Sequence, residues 1–192
     1  MNVYRRIDIN TDDFRVGDQI SIGHYTATCQ KVEADGYIFL LDQYLDEPMW
    51  MNKDDTNEGG YEKSNLIKRL NSTEILDIFV FGDVSNMLVP FEDGVLFRLP
   101  FYGEMFGHDG WYRSSGIEPD DYEQWILMKD RKNRIAERTG DSYEWGWLQN
   151  KDLVSSTDFC GINTRGKANC WNASARIGVR PVFKFGKKRL RG

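Results

Sequence analysis

The sequence predicts an α+β fold: a single domain over residues 1–185, with a mainly antiparallel, twisted sheet and two to four short helices, followed by a basic tail at 186–192. Three observations lead to it. Apolar residues recur at every second position near both ends of the chain, the period of a half-buried strand. Helical periodicity is confined to the middle. Six Trp, nine Tyr and eleven Phe are spread through 192 residues, enough apolar mass for one substantial core.

The elements follow in order. Ile20 and Ile22 alternate with polar residues, TATCQKVE continues the pattern, and Asp35-Gly36 turns the chain into the apolar run Tyr37–Leu41. An Asp-Gly pair is a hairpin signal because both residues tolerate the positive φ of a tight turn. From Leu45 to Gly60 the chain is polar, with Pro48 and a Gly pair, and reads as a loop. Ser64 is placed to cap a helix holding Leu66, Ile67 and Leu70. Ser72 or Thr73 can cap a second one, with Ile75, Leu76 and Phe79 on one face. Val95–Leu99 reads as a strand that Pro100 ends, and Phe101–Asp141 is the least patterned stretch. A helix with Tyr122, Trp125, Ile126 and Lys129 on one face is expected there. Trp145 and Trp147, two apart, should project from one face of a strand. FCGINTRGKANCW reads as a hairpin turning near Arg165. Val179, Pro181, Phe183 and Phe185 alternate with Arg180, Val182 and Lys184 in a half-buried closing strand. The expected core contains Ile20, Ile22, Phe39, Leu41, Leu66, Leu70, Leu76, Trp145, Trp147, Val179 and Phe183.

Charge and composition narrow the function. The net charge is −5, yet Lys184, Lys187, Lys188, Arg189 and Arg191 fall in the last nine residues; subtracting these five leaves −10 on the rest. Such a body repels nucleic acid, and the basic end reads either as a solvated terminus or as a contact for an acidic partner. No apolar run is long enough to span a bilayer, so no membrane association is expected. The N-terminus lacks the apolar segment of a secretion signal, and the sequence assigns no location beyond that.

Catalytic signatures are sparse. There is no Gly-x-Ser-x-Gly elbow, P-loop or dinucleotide fingerprint. His24 and His108 stand outside any metal-ligand spacing, and Cys29, Cys160 and Cys170 form none. No catalytic residue, metal or cofactor is assigned. If the last hairpin turns at Arg165, Cys160 and Cys170 face each other, either bridged or as buried free thiols. Asp54-Asp55 reads as a solvated acidic loop or a weak calcium site. Sequons at Asn71 and Asn172 matter only on a glycosylating route.

Better material for recognition lies in the aromatic residues of loops and strand ends: Trp50, Trp111, Tyr112 and Trp171, with Arg113, Glu118 and Asp120 beside them. Aromatic rings next to charged and amide groups line sugar- and protein-binding surfaces, because they give large contact area at low entropic cost. The same rings can instead pack over the edge of the core.

The order of short motifs resembles an uncharacterised domain family of gut bacteria and their phages. It runs from Val16-Gly17-Asp18 and Ile20 to Gly23, through Ser64-x-Leu66-x-x-x-Leu70-Asn71, to Phe97-Arg98-Leu99-Pro100 with Glu104 and Phe106-Gly107. It closes with Trp145–Leu148, Phe159-Cys160, Gly166, Ala173-Ser174 and Gly178-Val179-Arg180-Pro181-Val182-Phe183. Two departures stand out: Gly146 separates the tryptophans, and Gln149-Asn150-Lys151 replaces an Arg-Ser-Pro. The ending is also similar to the C-type-lectin-like fold of phage receptor-binding proteins. That resemblance implies a non-enzymatic binding or virion-associated structural module. Its irregular loop face would meet a protein or glycan ligand, or other virion subunits. Glu118-Pro119-Asp120 and Trp171-Asn172-Ala173 echo calcium-lectin motifs, but Ala173 removes a carboxylate ligand. The alternatives are an enzyme of the formylglycine-generating type, which would work through Cys160 and Cys170, and a bacterial surface adhesin.

Overall fold

The computed structural model describes residues 14–81, 84–138 and 144–187, with the side chains of Phe81 and Arg113 excepted. The basic tail beyond Lys187 lies outside the described residues. The chain is α+β, with two antiparallel sheets and four short α-helices among the described residues.

The first sheet opens with a meander, β1 (Gln19–Ile22), β2 (Tyr25–Val32) and β3 (Gly36–Leu41), joined by tight turns. Strand β9 (Val182–Gly186) then pairs antiparallel with β3, setting Phe39 opposite Phe183 and Tyr37 opposite Phe185. On its other side β9 takes the two-residue strands β4 (Leu88–Val89) and β5 (Phe97–Arg98). The second sheet is β6 (Gly146–Lys151), β7 (Asp158–Ile162) and β8 (Ala168–Asn172). The hairpin between β7 and β8 turns at 163–167, where Gly166 holds φ +67°, open to glycine at no steric cost, and Asn163 accepts from Lys167 N.

Helix α1 (Asn65–Leu70) starts as its sequence demands: Ser64 Oγ accepts from Ile67 N at 3.2 Å. Asn71 ends it and ties it to β5, donating to Ile67 O and Phe97 O and accepting from Leu96 N and Phe97 N. Helix α2 is Thr73–Phe81; the Ser72 hydroxyl makes no hydrogen bond to a described residue, so it does not cap that helix. Helices α3 (Tyr102–Phe106) and α4 (Gly110–Ser114) lie in the stretch where the sequence shows least pattern.

The first sheet has a core on each face. Phe39, Phe183 and Phe185 point to one, packed by Leu66, Leu70, Ile75 and Phe79 of α1 and α2. Ile38, Leu40 and Val182 point to the other, packed by Tyr102, Met105, Leu148, Cys160 and Ile162. Each large apolar side chain so buried contributes about 1.5–3 kcal/mol. Two cores explain one correction: β9 is buried on both faces from Val182 to Phe185, not half-buried, because it is a central strand with neighbours on either side.

Three further expectations are corrected. Trp145 is not core: it precedes β6, stays 42% exposed and stacks on Trp171 at 4.8 Å, while Trp147 is buried and donates Nε1 to Met49 O. Leu76 only packs against the core edge, being half-buried. No α-helix forms over 122–129. Trp125 N is drawn to Glu104 O, and the Gln124 amide to Met105 O and Met128 O, so that only a 3-10 turn at Ile126–Lys129 remains. Trp125 is consequently buried and Ile126 exposed, rather than sharing a face.

Candidate functional site

Buried polar groups locate the most unusual region. Arg98 leaves β5 under the sheet and meets Glu104 of α3 in a two-point ion pair: Nη1–Oε2 is 2.8 Å and Nη2–Oε1 2.6 Å. Both side chains are nearly shut from water, 7% and 3% exposed. Burial alone would pull the Arg98 pKa down, but the adjacent Glu104 charge and bonds outweigh it and raise it. Glu104 Oε2 also accepts from Phe101 N, closing the first turn of α3. Three rings enclose the guanidinium, with Cζ 4.7 Å from the Phe91 centroid, 5.2 Å from Phe101 and 5.6 Å from Tyr122. Phe101 and Tyr122 themselves stack at 4.1 Å and 16°.

This assembly is one wall of a cleft of ≈ 970 Å³. Other walls come from Gln30–Glu33 at the end of β2, Tyr61-Glu62, Glu92-Asp93, Asp121–Ile126 and Lys184 of β9. Tyr61 is buried there, its hydroxyl accepting from Leu99 N, and its pKa is raised by burial. At Gln30 the pairing of β2 with β3 slips between Cys29 and Lys31. Such a bulge re-aims a side chain. Gln30 is 3% exposed; its amide nitrogen donates to Thr28 O, and its Oε1 has no partner among the described residues.

A smaller cavity of ≈ 450 Å³ lies past Gln30 and is bordered by Thr28, Asp42, Asn133 and Arg180. Arg180, from the closing motif, is buried and donates to three carbonyls, Leu41 O, Asn133 O and Arg134 O. Desolvation pulls its pKa down. It clamps the 131–134 turn to the end of β3.

The candidates read from the sequence are dispersed, and none whose side chain is described borders either cavity. Trp111 and Tyr112 sit half-buried on α4, stacked against Tyr102 at 5.7 and 5.3 Å. Arg113 follows them in that helix. Asp120 turns inward, 3% exposed, and accepts from Gly103 N and Asn150 Nδ2, while Tyr112 Oη accepts from Asp120 N. With Asn150 Oδ1 accepting from Tyr102 N, Asp120 caps α3. Glu118 pairs its backbone with Lys151, and its carboxylate lies 3.4 Å from Lys151 N. Trp171 stacks on Trp145 at the edge of the second sheet, and Trp50 lies 5.9 Å below the Arg69 guanidinium.

The other marked residues have local partners. Asp55 accepts from Asn172 Nδ2 and Ser174 Oγ, and His108 Nε2 lies 2.9 Å from Asp120 O. Cys160 and Cys170 are direct cross-strand neighbours and both free thiols, with sulfurs 3.6 Å apart. The bond to Cys170 and then burial push the Cys160 thiol pKa far up. Burial holds Cys29 at about 11.

Sequence reasoning missed Arg98, Glu104, Phe101, Tyr122 and Gln30 as site residues. The signal available for two of them was the Phe-Arg-Leu-Pro segment with its nearby Glu. Compared with protein-family models, with curated proteins and with solved structures, the chain matches none. No described helix is long and apolar enough to cross a membrane.

Proposed function

We propose that this protein is a non-enzymatic recognition module of C-type-lectin-like build, which holds a ligand in the Arg98 cleft. One observation carries the reading. Of the eight large apolar side chains most exposed among the described residues, four (Val16, Val32, Tyr122 and Ile126) border this single cleft. Apolar surface left open around a concavity with a few fixed polar groups is how binding sites are built. Part of the wall, Phe101 to Ile126, belongs to the irregular middle of the chain, and loops on a rigid scaffold commonly carry function. In a virion the ligand would be a neighbouring subunit; on a cell surface it would be a glycan or a protein epitope.

The rival reading, an enzyme using paired cysteines, needs a thiol that ionises readily. Cys160 is fully buried with its pKa raised, which favours the binding module. Thiol titration of the folded chain should therefore find that Cys160 does not react fast at neutral pH. The cleft itself is tested by panning a peptide-display library and a glycan array with the native chain and with Tyr122→Ala/Ile126→Ala. Ligands retained by the first and lost by the second are expected. Ligands held equally by both would overturn the reading.

A further inference from the structure

The charges around the cleft are not balanced, and their pairing shows which sign is left over. Every cation on its walls is already engaged. Arg98 is paired with Glu104, Lys184 Nζ lies 2.7 Å from Asp35 and 3.1 Å from Glu33, and Lys31 lies 3.1 Å from Glu33. Glu62, Glu92, Asp93, Asp121 and Glu123 also border the cleft, and none of them makes an ion pair with a described residue. Counting the described residues, five carboxylates around the opening are left without a counter-charge. Independently, Gln30, which lines the same cleft, holds a buried Oε1 that finds no donor among the described residues, a state that costs about 1–3 kcal/mol until a donor arrives.

We infer that the Arg98 cleft binds a basic peptide segment of a partner protein, placing Arg or Lys among these carboxylates and an apolar side chain against Tyr122 and Ile126. The inference rests on the reading of this cleft as the binding face and adds the chemistry of its ligand. Like charges around a concave, low-dielectric wall focus the field and favour a cationic ligand over an anionic one. The acids are spread around the rim, and among the described residues no three His, Cys, Asp or Glu side chains gather as a metal-ligand set. A volume at the upper end of the usual range for ligand sites suits several side chains rather than one ion. A peptide also brings N–H groups, which is what the Gln30 oxygen lacks.

The test uses two labelled synthetic peptides of equal length, one alternating Arg with Leu and one alternating Glu with Leu, read by fluorescence anisotropy against the full chain. The basic peptide should bind, weaken as salt rises, and lose about tenfold in affinity on Asp121→Asn/Glu123→Gln. Both substitutions lie at exposed positions, so thermal melting should be unchanged. The acidic peptide should not bind. No binding of the basic peptide, equal binding of both peptides, or affinity unchanged in the neutralised variant would each overturn the inference. If panning returns ligands that depend on Tyr122 but are neutral or acidic, this inference falls and the binding reading stands. If no ligand depends on Tyr122, both fall.

Discussion

Replacing Glu104 by Gln tests whether the Arg98 pair is as isolated from water as its geometry implies. The glutamine keeps an oxygen for Phe101 N, whose bond to Glu104 Oε2 is 2.9 Å, so the first turn of α3 loses little. What vanishes is the negative charge facing a guanidinium only 7% exposed. The remaining partners of Arg98 are Leu99 O at 2.9 Å and the faces of three rings, none of them a full counter-charge. Leaving a buried charge uncompensated costs about 3–5 kcal/mol. Against a total stability of about 5–15 kcal/mol that is a large share, and it corresponds to a fall in melting temperature of roughly 6–20 °C for a chain of this size. Urea denaturation followed by tryptophan fluorescence reads it directly. The paired control is Arg98→Met/Glu104→Leu, which removes both charges and should recover most of the loss. A loss below about 1 kcal/mol in Glu104→Gln would mean that water reaches Arg98. A double variant no better than the single one would mean that shape, not charge, sets the cost.

Two other changes have calculable directions. Gly146→Ala would drive a Cβ into the Tyr44 ring, already packed against Gly178, where an added Cβ would lie 2.5 Å from Cγ. A ring in a filled core cannot yield cheaply, so a loss of about 1–3 kcal/mol in urea denaturation is expected, and an unchanged midpoint would refute the contact. The bond from Lys184 holds the Asp35 carboxyl below its ordinary value of 3.8, so its contribution is complete above that pH and is lost as pH falls through the lower folded value. Burial pulls Lys184 down, but its bonds to Asp35 and Glu33 outweigh this and raise it above 10.5. That contribution is complete below pH 10.5 and lost as pH rises through the folded value. Lys184→Met should therefore flatten the stability profile at both ends, by less than about 1 kcal/mol at the acid end because Asp35 is 74% exposed. Parallel profiles for the two chains would sink the assignment.

Much of the scaffold was legible because its signals are local. The hairpin expected at Asp35-Gly36 forms, but its tip is Ala34-Asp35, closed by Glu33 N donating to Gly36 O, with Gly36 already the first residue of β3. Ser64 caps a helix, and Cys160 faces Cys170 across a hairpin centred at Arg165. Several of the short motifs picked out in the sequence turn out to be fastenings of that scaffold. Asn71 joins α1 to β5, Arg98 and Glu104 join β5 to α3, and Arg180 gathers three carbonyls from two segments. Even the departures have uses: Gly146 makes room for Tyr44, and Asn150 caps α3. The errors arose where tertiary contacts overrode local period. Trp145 and Trp147 share a spacing, but β6 begins between them. Residues 122–129 have a helical period, but their backbone and amide groups are claimed by α3.

The cleft illustrates why a site of this kind escapes a one-dimensional reading. Its walls come from segments as distant as Val16 and Lys184, so no spacing in the chain announces it. Its chemistry depends on which charges are already spent. Glu33 and Glu123 look alike in the sequence, yet Glu33 is bound to two lysines and Glu123 to none of the described ones. The same holds for the aromatics. Trp111 and Tyr112 have the composition of a recognition loop but are stacked on Tyr102, whereas Tyr122, read as one face of a helix, stands at the cleft mouth with its ring against Phe101. Residue type supplies the capacity to bind. Only the register of β2, slipped at Gln30, and the capture of Arg98 by Glu104 decide which acceptors and which carboxylates remain unpaired. The recognition proposed for this cleft would thus rest on a remainder, the part of the polar chemistry that the scaffold does not consume.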